Sequence, residues 1–147
     1  MRTAECSLEI RRPPQALHEF MLDLRYAPEW GELISRMEWI AGGPHAGAKI
    51  RLHFWLEGRE QTQEATLAEW EPGRRHVMVN DSDPGYHCAF SYNLEPMSGG
   101  TQVTITADVT GNTLAHRLLL PLIRKRHRVR FTRTLGRLKI AAEKERG

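Results

Sequence analysis

A chain of 147 residues with 40% apolar and 27% charged side chains is sized and composed for one folded domain with its own core, which excludes a disordered chain. The longest apolar run, Leu118 to Ile123, falls far short of the roughly 20 residues that span a bilayer. A net charge of +3 is too small to mark a nucleic-acid binder by itself. Two cysteines, Cys6 and Cys88, form neither a disulfide framework nor a metal-binding pair, and they suit a reducing cytoplasm.

Residues 3–11 alternate as an opening strand, with Cys6, Leu8 and Ile10 on one face. Pro13 and Pro14 stop it and open a helix, where a missing N–H costs nothing. That helix, PPQALHEFMLDL, carries Leu17, Phe20, Met21 and Leu24 at helical spacing. After a break at Tyr26-Ala27-Pro28, EWGELISRM reads as a second short helix with Trp30, Leu33, Ile34 and Met37 on one side. The period then changes to two. Met37 to Ile40 is a short strand, and GGPHAG is a turn by its glycine and proline content. Lys49 to Glu57 sets Ile50, Leu52, Phe54 and Leu56 against Lys49, Arg51, His53, Trp55 and Glu57. Gly58-Arg59 turns the chain into a strand from Gln61 to Glu71, and Pro72-Gly73 turns it again. Arg75 to Asn80 is a strand, and Asp81 to Gly85 a loop. Tyr86 to Leu94 places Tyr86, Cys88, Phe90, Tyr92 and Leu94 on one face. Met97 to Gly100 turns into a last strand, Thr101 to Val109, with Val103, Ile105, Ala107 and Val109 together.

Thr113 to Glu143 reads as one long helix. Leu120, Ile123, His127, Phe131, Leu135, Leu138 and Ala142 share a face of it. Asn112 or Thr113 offers a cap, and Pro121 predicts a kink, or a short helix followed by a long one. The same helix holds Arg124, Lys125, Arg126, Arg128, Arg130 and Arg133 with no acid among them. The rest of the chain is net acidic, so the positive balance comes from this one stretch. Strands joined by short turns are antiparallel neighbours, and clean alternation buries one face of a sheet. A buried face needs a cover, and this helix is the only long one available. The expectation is an α+β domain over residues 1–147. About seven antiparallel strands curve around the C-terminal helix, and two short helices after the first strand close one end.

The whole sequence resembles the START-like (SRPBCC) superfamily of polyketide cyclase/dehydrase and lipid-transport type. The resemblance rests on the opening strand with Pro13-Pro14, on Pro28-Glu29-Trp30, on Gly42-Gly43-Pro44 with Gly47, and on Ala68-Glu69-Trp70-Glu71-Pro72-Gly73-Arg74-Arg75. It continues through Gly99-Gly100-Thr101-Gln102-Val103-Thr104 and Leu135-Gly136-Arg137-Leu138-Lys139. It implies a helix-grip fold with a deep cavity between helix and sheet. Members hold lipids, polyketides, sterols or quinone-like molecules there. Some catalyse cyclisation or dehydration, and many only bind. No motif here transfers a catalytic residue.

The candidate ligand-binding residues are Trp30, Phe54, Tyr86, Phe90, Tyr92, Ile123, His127 and Phe131. Pockets for small molecules are mostly apolar with a few polar groups. His127 interrupts the apolar stripe and suits a hydrogen bond to a ligand or proton transfer. His116 lies nearer the helix start. Glu57, Glu60, Glu64, Glu69 and Glu71 crowd one hairpin without an obvious pair, as a solvated face does. There is no Gly-rich phosphate loop, no HExxH and no other cofactor or metal motif. The first reading is a binder of an apolar or aromatic small molecule. The second is a cyclase or dehydratase using His127 with a tyrosine such as Tyr92. The third is an adaptor that docks its basic helix on an anionic membrane or RNA. Membrane ranks above nucleic acid, because the apolar LLLPLI precedes the cations and Phe131 is the only aromatic among them. The oligomeric state stays open.

Overall fold

Seven strands form one antiparallel sheet in the computed structural model, which describes residues 4–31, 34–80, 86–111 and 118–144. They are β1 (Ala4–Ile10), β2 (Ile34–Ala41), β3 (Lys49–Leu56), β4 (Arg59–Glu71), β5 (Arg75–Asn80), β6 (Tyr86–Met97) and β7 (Gly100–Gly111). Their order is β1-β7-β6-β5-β4-β3-β2, and the sheet does not close on itself. Hairpins join β2 through β7 in sequence, and β1 returns beside β7, with Ile10 opposite Thr101. Helix α1 (Pro14–Met21), a 3-10 turn (Leu24–Tyr26) and helix α2 (Ala27–Trp30) follow β1. Helix α3 (Leu120–Glu143) ends the described chain.

Pro14 starts α1, which buries Leu17, His18, Phe20 and Met21. The Asp23 carboxylate caps the next turn by accepting the Arg25 N–H at 3.3 Å. The second helix is shorter than its sequence suggests. It stops at Trp30, and Gly31 leaves it with extended backbone (ψ 126). Ile34 to Met37, expected to be helical, instead begin β2, with Met37 opposite Leu52 and Trp39 opposite Ile50. A nine-residue stretch satisfies either period. The ladder offered by β3 decides it, since strand propensity is largely a matter of packing partners. In the β3–β4 hairpin Leu56 pairs Arg59, so the turn is Glu57-Gly58 rather than Gly58-Arg59. Both turn residues have positive φ (53 and 75), as the twist-matched two-residue hairpin requires. Asp81 to Gly85, Asn112, Thr113 and His116 lie outside the described residues. Pro121 sits in the first turn of α3 as described, where proline removes no helical hydrogen bond.

The second half of α3 makes the core. Phe131, Leu135, Leu138, Ala141 and Ala142 join Ile10, Leu17, Phe20, Met21, Leu94, Val103 and Ile105 in one buried cluster. Here the helix lies against β1, β7 and α2. Thr101 donates its hydroxyl to the Arg12 carbonyl at 2.6 Å and fixes the β1–β7 end of the sheet. Gly100 admits no side chain, because a Cβ would run into the Ile10 carbonyl.

Candidate functional site

The middle of α3 does not close against the sheet. A cavity of about 260 Å³ remains between them. His127, Arg130, Phe131 and Thr134 reach it from α3, at the three- and four-residue spacing of one helical face. Cys88, Phe90 and Tyr92 reach it from β6, because alternate residues share a face. Met78 and Val79 of β5, Ala65 and Gln63 of β4, Leu52 of β3, and Ile34 and Met37 of β2 complete the sheet side. Ala27, Trp30 and Gly31 close one end. Phe90 meets Phe131 edge-on (centroids 5.9 Å, 83°) and His127 likewise (5.9 Å, 68°). His127 stacks on Phe131 at 5.8 Å. The Arg130 guanidinium lies 5.8 Å from the Phe90 ring centre.

A second, wider space of about 670 Å³ adjoins the first. Ile34, Leu52, Gln63 and Arg130 border both. Phe54, Leu56, Leu122 and Val129 give this vestibule apolar walls, and Lys125, Arg126 and Arg133 add positive charge.

Of the eight residues read from sequence, Trp30, Phe90, Tyr92, His127 and Phe131 line the inner cavity. Phe54 lines the vestibule instead. Tyr86 and Ile123 belong to β6 and α3 by backbone, and their side chains lie outside the described residues. Sequence reasoning missed Leu52, Met78 and Thr134 as lining residues. It also took Arg130 only as part of a surface run. Thr134 sits seven residues after His127, so helical spacing carried a signal for it. Trp55 is 50% exposed and stays on the outer face.

Burial sets the chemistry of the cavity. The imidazole of His127 is held below its usual pKa by burial and by the nearby Arg130 and Arg126 charges, so it is neutral at neutral pH. Burial raises the Tyr92 phenol above its ordinary value, against a smaller opposing pull from Arg130. The Cys88 thiol is pushed up to about 12, mainly by burial. The cavity thus offers a neutral imidazole, a phenol and an unreactive thiol, and among the described residues no carboxylate lines it. Trp30 and His127 are each 8% exposed. Trp30 Nε1 and His127 Nδ1 have no hydrogen-bond partner among the described residues. An unpaired buried polar atom costs about 1–3 kcal/mol.

Behind Tyr92 stands a buried histidine pair that no sequence pattern marks. The Gly73 N–H donates to His18 Nδ1 at 2.9 Å, so His18 Nε2 carries the proton and donates to His76 Nδ1 at 2.8 Å. Trp70, His18, His76 and Tyr92 follow one another ring to ring, with centroids 4.6, 5.0 and 4.4 Å apart. Burial lowers His18 from 6.5 to about 4, and lowers His76 well below 6.5 with the help of His18. As pH falls below 6.5 the unfolded chain takes up protons that the fold refuses. Stability is therefore complete above that pH and is lost progressively toward pH 4. The loss comes from the two imidazoles, which burial holds below their ordinary value. Melting temperatures recorded down this range should fall steeply in the wild type and less in His18→Gln. A flat wild-type profile contradicts the pairing.

The acidic hairpin does nothing comparable. Its carboxylates pair with cations on the outer sheet face, as in Arg51–Glu64 (3.6 Å) and Arg75–Glu69 (3.5 Å). His53 Nε2 bonds Glu38 at 2.9 Å there, which holds the Glu38 carboxyl below its usual range. Among the described residues no three His, Cys, Asp or Glu side chains converge as metal ligands.

The family model described as polyketide cyclase/dehydrase and lipid transport matches residues 1–143. Solved structures share the fold at low identity. TTHA0849 from Thermus thermophilus is 17% identical, with a TM-score of 0.74 over 95% of each chain. The Zhui aromatase/cyclase from a Streptomyces species is 18% identical, with a TM-score of 0.73 over 95% of this chain and 92% of its own. NE0264 from Nitrosomonas europaea is 17% identical, with a TM-score of 0.73 over 98% and 97%. A search of curated proteins returns no match.

Proposed function

The chain belongs to the polyketide cyclase/dehydrase and lipid transport family, and from that premise we propose that it binds one small apolar or aromatic molecule in the cavity under α3. The observation that supports this most is the cavity itself, a space under α3 walled by Phe90, Phe131, Met78 and Leu52. Burying about 300 Å² of apolar ligand contributes roughly 7 kcal/mol at ~25 cal/mol per Å². Several kcal/mol of association cost offset part of that. Native mass spectrometry of the protein as purified, with extraction of whatever is bound, tests the reading. One apolar compound per chain supports it. An empty protein that gains no thermal stability across lipids, sterols and aromatic polyketides refutes it.

A second reading, a cyclase or dehydratase, draws on the placement of neutral His127 beside Phe90 and Phe131 in the cavity. A neutral imidazole accepts a proton, and a Tyr92 phenol with a raised pKa donates a hydrogen bond without ionising. His127→Ala that keeps binding and loses turnover favours this reading over simple carriage.

For the partner surface we propose peripheral contact with an anionic membrane through Arg124, Lys125, Arg126, Arg128 and Arg130. These cations are exposed, and Leu118, Leu119 and Leu122 beside them are exposed apolar residues. Among the described residues no helix is long and apolar enough to cross a bilayer. RNA is the less favoured occupant. The proposed location is the cytoplasm, which free Cys6 and Cys88 suit.

A further inference from the structure

We propose that the vestibule is an anion subsite, and that the natural ligand is an amphiphilic acid. Its oxygenated ring occupies the inner cavity, and its acid group rests on Arg126 and Arg130. This deepens the reading of the cavity as a ligand site and rests on it.

Three observations lead here. The two spaces are continuous along Ile34, Leu52, Gln63 and Arg130, so a molecule too long for the inner cavity emerges past Arg130. The vestibule gathers Lys125, Arg126, Arg130 and Arg133, and among the described residues no carboxylate lines it. The outer sheet around Arg51, Glu38 and Glu64, by contrast, mixes both signs. Arg126 and Arg130 have no ion pair among the described residues. Cations held this close raise one another's energy, and an anion on the ligand relieves that repulsion. The guanidinium fork also suits a carboxylate, sulfonate or phosphate.

The inner cavity supplies the other end of the match. Trp30 and His127, each more than nine-tenths buried, line it with a ring nitrogen apiece that has no partner among the described residues. A pure hydrocarbon leaves both unsatisfied. An oxygen on the bound ring that accepts the Trp30 N–H recovers part of the cost of burying it bare. The class is therefore an aromatic or alicyclic acid with ring oxygens, rather than a neutral sterol or an alkane chain. The acid is either a free soluble one or the headgroup of a lipid.

Two fluorescent probes with one skeleton separate these terms. Anilinonaphthalene sulfonate carries an anion, and N-phenylnaphthylamine is its neutral parent. In low salt the sulfonate should bind the wild type about tenfold tighter than the parent, from two partly exposed ion pairs. Arg126→Gln with Arg130→Gln should remove most of that preference. Arg51→Gln with Arg75→Gln on the outer face lowers the net charge equally and should keep it. Equal affinity of both probes for the wild type, or a preference that survives the double variant, overturns the anion subsite while leaving the cavity reading intact. Binding of neither probe overturns both. Displacement of the sulfonate by naphthoate assigns a soluble acid, and displacement by phosphatidylglycerol vesicles alone assigns a lipid headgroup. Either result supports the anion subsite, and the lipid result, whose acyl chains carry no ring oxygen, overturns the ring-acid class.

Discussion

Met78→Trp is expected to lower the affinity for N-phenylnaphthylamine at least ~100-fold while leaving the melting temperature unchanged or raised. Met78 sits on β5 opposite Phe90, and both border the inner cavity. An indole at this position extends into space that is already empty, so it does not overpack a filled core. Instead it gains dispersion contacts with Phe90 and Phe131 and occupies the volume a ligand needs. Losing several kcal/mol of apolar burial gives an effect of that size. Val129→Ala, which trims the vestibule wall, should cost only a few-fold. A fluorescence titration beside a thermal melt checks both. Undiminished binding in Met78→Trp places the probe elsewhere on the molecule.

Leu135→Ala should destabilise the fold by about 3–4 kcal/mol and lower its melting temperature by roughly 10 °C. Leu135 is almost fully buried in the cluster that joins α3 to Ile10, Leu17 and Ile105. Its removal leaves a void between a helix and a sheet that strand hydrogen bonds hold in place, so little collapse is available to fill it. Ile140→Ala on the same helix is the contrast. Ile140 is 67% exposed, and its loss should cost under ~0.5 kcal/mol. Urea unfolding of the three proteins measures the difference. Equal losses at both positions contradict a helix gripped along one stripe.

The sheet was legible because period-two alternation survives almost unbroken in β3, β6 and β7, and short turns leave antiparallel neighbours as the only option. The buried stripe of α3 was equally plain from Phe131, Leu135, Leu138 and Ala142. The start of β2 was misread because Ile34 and Met37 fit both periods, and only the partner strand distinguishes them, whereas Met37 to Ile40 was read correctly as strand. The same two rules found five lining residues, since they fix which face each side chain occupies. They do not say where along a curved sheet the helix lifts away. That is why Phe54 came to the vestibule while Met78 and Leu52 went unnoticed. The His18–His76 pair is separated by 58 positions. Nothing local marks either residue, because the pair exists only once α1 crosses β5.

The most direct measurement is a chemical-shift map of isotope-labelled protein titrated with N-phenylnaphthylamine. Perturbations centred on Met78, Cys88, Phe90, Phe131 and Thr134, fading outward through Gln63 to Phe54, are the predicted result. Perturbations confined to Arg51, His53 and Trp55 on the outer sheet face, or none at saturating probe, would contradict a ligand cavity under the long helix.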